Sequence, residues 1–232
     1  MTLVEISTDG LDGAVLADRL GADRIELCSA GALGGLTPGP GLLDEVLRRC
    51  PRSEVHVLIR PREGGFRHSP AEVAVLRAEV RRAVAAGAAG VVVGALDEHD
   101  ALDTDALGEL VAEAGAVPVA LHRAVDVCRD PVEAAHVAAE LGIRRVLSSG
   151  GAVRAEDGAE VLRRMARAGV TVTACGGVRA HNVRRVVETC GAGEVHAAPR
   201  KPVPSPGGEV DFGPHAVLDE EEARRLIAAA RS

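Results

Sequence analysis

The stretch S-P-A-E-V-A-V-L-R-A-E-V-R-R-A-V-A-A-G-A-A-G-V-V-V, Ser69 to Val93, holds one complete helix-and-strand unit. Ser69 followed by Pro70 is an N-cap with a proline in the first helical position, where its missing N–H is harmless. The run Pro70–Ala86 predicts a helix, and Gly87 stands where a left-handed C-cap belongs. Val91–Val93 then reads as a short β-branched strand. The same order recurs in both directions. Asp130-Pro131 repeats the N-cap device, and Gly21, Gly142 and Gly169 each close a helical run. Strands are predicted at Leu3–Ile6, Arg24–Leu27, Val55–Ile59, Val91–Val93, Val117–Leu121, Arg145–Leu147, Val170–Ala174 and Glu194–Ala197. Helices are predicted at Gly10–Leu20, Gly41–Arg49, Pro70–Ala86, Asp103–Ala114, Pro131–Leu141, Arg154–Ala168, Arg179–Thr189 and Asp219–Ala230. Eight alternating units with no break in composition predict a single α/β domain over residues 1–232, a (β/α)8 TIM barrel. An open doubly wound sheet is the alternative. Residues 199–218 are the exception: a long Pro- and Gly-rich loop before the last helix, either a lid or contact segment or a plain surface connector.

Composition narrows the partners. The 232 residues fit one barrel. A net charge of −7 argues against a nucleic-acid protein, and an aromatic fraction of 1% without Trp or Tyr removes the stacking platforms of single-strand binders. No stretch approaches the roughly 20 apolar residues of a membrane helix. Five dispersed cysteines without a CxxC, after a start that lacks a signal peptide, read as reduced thiols of a cytoplasmic protein. With no tyrosine, general acids come from His, Asp, Glu or Cys, and with Lys201 the only lysine a Schiff-base aldolase is disfavoured.

Period two in the strands assigns the inward positions. Ile25 and Leu27 face the helices, so Arg24, Glu26 and Cys28 face the barrel axis. By the same rule Glu5, Arg60, Arg62, His122, Thr173, Cys175 and His196 point inward. Most lie at the C-terminal strand ends, where barrel active sites are built. Strands eight, one, two and three adjoin in a closed barrel, which places His196, Glu5, Glu26 and Arg60 on one arc, with Arg60 beside Glu26. A structural ion-pair layer is the alternative for this arc. Ser148-Ser149-Gly150-Gly151 and Cys175-Gly176-Gly177-Val178 follow strands six and seven. Glycines there let backbone N–H groups approach an anion, although paired glycines are also ordinary turn residues.

Several segments then resemble one family. R-I-E-L-C-S-A-G-A-L-G-G-L-T-P-G (Arg24–Gly39), I-R-P-R-E-G-G-F (Ile59–Phe66), V-V-G-A-L (Val92–Leu96), L-H-R-A-V-D (Leu121–Asp126), R-V-L-S-S-G (Arg145–Gly150), C-G-G-V (Cys175–Val178) and E-V-H (Glu194–His196) resemble, in order, the signature of the CutC copper-homeostasis family. The resemblance implies a cytoplasmic TIM barrel, a homodimer or higher homo-oligomer, and copper handling. Where some family members carry a cysteine two residues after the first-strand glutamate, this chain has Ser7, which leaves Cys28 without a neighbouring thiol. Copper(I) favours soft thiolate and thioether ligands. Two functions therefore stay open. One is copper binding with Cys28 as the metal ligand, helped by His122 or His196, its thiol made acidic by Arg60. For a lone cysteine, a small buried core residue is the plainer reading. The other is an enzyme of lyase, isomerase or hydrolase type acting on a small phosphorylated or carboxylated metabolite. Its candidate catalytic residues are Glu26, His122 and His196, and its ligand-binding set is Glu5, Arg60, Arg62, Arg123, Asp126, Ser149, Gly150, Gly176 and Gly177. A divalent ion held by Glu5, Glu26 and His196 is a further option. The partners expected are a small anionic molecule or a metal ion.

Overall fold

A computed structural model describes residues 2–232 except 206, 208, 209 and 212. Eight parallel strands close a barrel in chain order: β1 (Leu3–Thr8), β2 (Arg24–Leu27), β3 (Glu54–Leu58), β4 (Gly90–Val93), β5 (Val119–Leu121), β6 (Arg145–Ser148), β7 (Thr171–Ala174) and β8 (Glu194–Ala197). The closing pair is β1–β8, with Glu5 opposite His196 and Ile6 opposite Ala197. Helices α1 (Leu11–Leu20), α2 (Pro40–Arg49), α3 (Pro70–Ala86), α4 (Thr104–Ala114), α5 (Pro131–Glu140), α6 (Ala159–Ala166), α7 (Val183–Cys190) and α8 (Glu220–Arg231) follow the strands in turn.

The expected termini are in place. Ser69 accepts from the Glu72 N–H while the Glu72 carboxylate accepts from the Ser69 N–H, a reciprocal capping box. Gly21 and Gly87 close their helices at φ +83° and +94°. The core lies between strands and helices. Val4, Ile6, Ile25, Leu27, Leu107 and Leu162 are fully buried there, each contributing roughly 1.5–3 kcal/mol by leaving water.

Three predicted segments differ. The predicted helix 154–168 begins only at Ala159, because the Ala155 N–H is turned to the Gly176 carbonyl and Gly158 packs on Ser149. The predicted helix 179–189 starts at Val183, after Asn182 has accepted from the Arg179 N–H. Within the loop predicted over 199–218, β9 (Arg200–Val203) and β10 (His215–Leu218) pair as an antiparallel ribbon. These strands are short, mostly exposed and carry Pro202, so they lack the apolar alternation that announces a strand. Four residues of that loop lie outside the described set. No helix among the described residues is long and apolar enough to cross a membrane.

Candidate functional site

The barrel interior is layered. Its lower layer, toward the N-terminal strand ends, is charged. The Arg24 guanidinium meets Glu194 at 3.0 Å, Glu5 at 3.4 Å and Glu54 at 3.4 Å. Arg145 meets Glu194 at 3.4 Å and donates to the His56 imidazole at 3.2 Å. The Thr173 hydroxyl donates to Glu194. Burial, followed by the charge of Arg145, pushes His56 down to about 3, so it is neutral. Gly90 makes room for it: a Cβ there would lie 2.1 Å from the His56 ring.

Above this layer, Cys28, Leu58, Val92, Ala120, Leu147 and Cys175 form an apolar cluster inside the barrel. Cys28, Leu58, Leu147 and Cys175 from it line a cavity of about 330 Å3 at the C-terminal mouth, within the range of small-molecule pockets. Glu26, Arg60, Phe66, His122, Arg123, Arg179, His196 and Arg200 also line it, as do Gly176 and Gly177.

Glu5 joins the two layers. One oxygen lies near Arg24, and the other accepts from His196 Nδ1 at 2.7 Å. Burial raises the Glu5 carboxyl, but the hydrogen bond and charge of His196, with Arg24 behind them, outweigh it and bring the pKa to about 2. The far nitrogen of His196 lies 3.8 Å from Glu26. Burial works against the His196 charge, yet Glu26 and Glu5 together raise its pKa. Burial raises Glu26 as well; His196 opposes that rise and the Glu5 charge reinforces it. One ligand atom from each of Glu5, Glu26 and His196 falls within 4.8 Å of the others, close enough to hold a metal ion.

His122 is buried in a seat left by Gly94, where a Cβ would lie 2.2 Å from the ring. Its Nδ1 accepts from the Ala124 N–H, so the neutral ring carries its proton on Nε2, which has no acceptor among the described residues. Burial, with the Arg60 charge behind it, depresses its pKa to about 3. Its ring centroid is 4.8 Å from that of Phe66, and the Arg60 guanidinium stands 5.1 Å over the same Phe66 ring.

Several expectations are corrected. Arg60 is not beside Glu26: its two terminal nitrogens donate to the carbonyls of Leu33, Gly35 and Gly64. It therefore does not acidify Cys28. Burial, with Glu26 next, pushes that thiol up to about 11 against the pull of Arg200, whose nitrogen is 3.8 Å from the sulfur. Arg62 leaves the mouth altogether, pairing with Glu72 and bridging the carbonyls of Glu63, Gly65 and Arg67. Alternation ends with β3 at Leu58, and Pro61 turns the chain between the two arginines. Asp126 accepts from Ser148, from both the N–H and the hydroxyl of Ser149, and from Gly151 N–H, and so braces the loop after β6. Ser149 and Gly150 belong to that brace and do not line the cavity. Arg123 lines it while bonded to Asp126 at 2.7 Å and to Ser149. The sequence reading missed Arg179, Arg200 and Phe66. Arg179 and Arg200 offered only their position, within five residues of the ends of β7 and β8, while Phe66 closes the Ile59–Phe66 segment that resembles the family signature.

Comparison with known proteins bears on this geometry. The CutC family model matches residues 2–201. A human protein named copper homeostasis protein cutC homolog is 39% identical over 201 residues, 85% of this chain and 73% of its own length. The family protein CutC of Xanthomonas axonopodis pv. citri (strain 306) is 39% identical over 235 residues, 97% of this chain and 98% of its own. The chain belongs to the CutC family. A Streptococcus agalactiae CutC structure superposes with TM-score 0.80 at 26% identity, covering 84% of this chain and 98% of that one. Phosphoribosylanthranilate isomerase from Pyrococcus furiosus, at 17% identity and TM-score 0.60, shares the fold alone; the match covers 100% of this chain and 99% of that one. The family match ends at Lys201, so it contains every cavity-lining residue named above and stops inside the β9–β10 ribbon.

Proposed function

We propose that this CutC chain takes part in copper homeostasis in the cytoplasm, and that its molecular act is to bind a small anionic metabolite in the barrel mouth and move a proton on it. The observation that carries this reading is the charge of the lining. Four arginines, Arg60, Arg123, Arg179 and Arg200, line the cavity, and Glu26 is the only carboxylate among its described lining residues. A cavity so lined concentrates anions, and buried N–H donors favour them further.

The proton chemistry rests on Glu26 and His196. Burial raises the Glu26 carboxyl, which makes it the stronger base toward a proton of a bound substrate. His196, 3.8 Å away, faces Glu26, and each favours the ionised form of the other. Glu5 positions the His196 ring and touches no ligand itself. His122 is neutral across the working range, so it serves as a hydrogen-bond donor to a substrate oxygen, not as the acid.

A second reading has one observation in its favour, the convergence of Glu5, Glu26 and His196 on a metal-sized space. Carboxylate and imidazole donors suit a divalent ion such as Cu(II) or Zn(II) better than Cu(I). Cys28 supplies one thiol, protonated until a metal displaces the proton. Met165 is buried on α6, away from the mouth.

A thermal-shift series with inorganic phosphate, acetate and phosphorylated metabolites tests the first reading against a Cu(I)-chelator competition. Anion binding stabilises the native state by RT ln(1 + [L]/Kd), about 2.7 kcal/mol at a hundredfold excess over Kd. A rise with anions and weak Cu(I) binding supports the proposal. No rise with any anion, together with tight stoichiometric Cu(I) binding abolished by Cys28→Ser, replaces it with the copper site. A homo-oligomer belongs to the same proposal, supported by Leu33, Val127 and Val153, which stand exposed on loops at the mouth end. Light scattering of the eluted protein reads it directly.

A further inference from the structure

We infer that the mouth is built for a small molecule carrying two separate anionic groups, one held by Arg60 and His122, the other by Arg179 with the backbone N–H groups of Gly176 and Gly177. The inference rests on the reading of the mouth as an anion site and specifies its ligand.

The first anchor follows from an uncompensated charge. Arg60 is 8% exposed and, among the described residues, has no carboxylate within 4 Å. Its terminal nitrogens donate to neutral carbonyls, and its Nε has no acceptor among the described residues. The buried arginine of the lower layer, Arg24, is matched by three glutamates. A cation buried without a counter-charge is costly unless an anion arrives from outside. His122, 5% exposed, brings a second buried N–H with no acceptor among the described residues, and both side chains pack against Phe66. Both residues line the cavity, so one unmatched charge and two donors without an acceptor among the described residues lie together behind its β3–β5 wall.

The second anchor is across the barrel. Arg179 lines the cavity, and among the described residues its guanidinium makes a single hydrogen bond, to the Val178 carbonyl, and has no carboxylate partner. Arg123 and Arg200, by contrast, are taken by Asp126 at 2.7 Å and Asp9 at 3.1 Å. Gly176 and Gly177 sit at φ +92° and +72°, and a Cβ would meet Ser149 at 3.0 Å or Arg154 at 3.1 Å. Their N–H groups donate to no acceptor among the described residues. Backbone of this kind at a cavity edge is suited to phosphate oxygens.

The spacing of the strands completes the picture. In a ring of eight, β3 and β7 are opposite one another, β2 adjoins β3, and β8 adjoins β7. Glu26 on β2 and His196 on β8 thus lie between the two anchors, on the arc through β1. A ligand pinned at both ends presents its middle to Glu26.

Titration calorimetry on the full chain tests this with acetate, inorganic phosphate, 2-phosphoglycolate and 3-phosphoglycerate, the last two carrying a carboxylate and a phosphate at different spacings. Joining two binding groups raises affinity by about a hundredfold or more over either alone. At least one of the two linked probes should therefore bind about a hundredfold tighter than phosphate. Arg179→Met, which removes one side-chain hydrogen bond, should remove that gain and leave acetate binding unchanged. Arg60→Lys should weaken acetate and leave phosphate unchanged. Because Arg60 also braces two loops, its variant counts only alongside the Arg179→Met result. If phosphate and acetate bind but neither linked probe binds more tightly, the mouth has one anion site; this inference falls and the anion reading stands. If none of the four binds, the anion reading falls with it.

Discussion

The two charged layers of the barrel interior use the same residue types and differ in what answers them. In the lower layer Arg24, Arg145, Glu5 and Glu194 each have an opposite charge within 4 Å, supplied by the chain itself. In the upper layer, among the described residues, Arg60 and Arg179 have none, the His122 Nε2 has no acceptor, and the nearest cation to Glu26 is His196 at 3.8 Å. A closed network stabilises one geometry and resists change. An open one leaves its charges for a ligand, so the contrast separates structural charges from functional ones better than burial does, since both layers are buried.

The contrast breaks most sharply at Arg24. Arg24→Met takes away the guanidinium that Glu5 and Glu194 share, leaving them Arg145 and, for Glu5, His196, and should cost about 3–5 kcal/mol in urea unfolding. A loss below 1 kcal/mol would mean that the lower network is not closed.

Acid should attack both layers through their histidines. In the fold His56 and His122 take up a proton only near pH 3, whereas the unfolded chain binds it near 6.5. Stability present above pH 6.5 is therefore lost as pH falls below it, by about 2 kcal/mol per histidine at pH 5. Glu5 adds a lower phase: its contribution is complete above about pH 4.5 and fades as pH falls through about 2. His196 acts in the other direction, its contribution complete below pH 6.5 and lost as pH rises through its raised pKa. Melting points from pH 8 to 4 should fall from about 6.5 downward, and His122→Asn should flatten the upper part of that fall.

Two glycines sharpen the comparison with matched strain. Gly90→Ala and Gly94→Ala each push a Cβ into a buried imidazole, at 2.1 and 2.2 Å, and each should cost roughly 1–3 kcal/mol. Only Gly94→Ala should also weaken acetate binding, because only His122 is at the mouth. Equal losses of acetate binding would erase the distinction between the layers. The smallest effect is expected at Arg179: Arg179→Met should change stability by less than about 0.5 kcal/mol, as befits a charge the fold does not use.

How much of this the sequence disclosed follows from how far local rules reach. Alternation placed Glu5, Glu26, Cys28, His122 and His196 inside the barrel, because each sits on or next to a strand whose pleat sets its direction. It failed at Arg62, four residues past the last residue of β3, where Pro61 and the loop carbonyls decide the direction instead. Asp126 and Ser149 looked like ligand groups because their motif is polar and glycine-rich, yet they spend their hydrogen bonds on one another. The pairing of Arg60 with carbonyls in place of Glu26 is a long-range outcome, set by how the loops after β2 and β3 fold together. The β9–β10 ribbon was hidden because exposed strands need no apolar period.

Phe66 has an optical consequence. The chain contains neither tryptophan nor tyrosine, so it is almost silent in near-ultraviolet absorption and fluorescence. Phe66 lies against both Arg60 and His122, at the edge of the cavity. A Phe66→Trp variant would carry one indole in the whole protein, stacked on the very groups that await a ligand, and its emission would report their occupancy with no background to subtract. The same darkness makes the unaltered protein a clean host for coloured or fluorescent ligands, whose spectra would pass through it untouched.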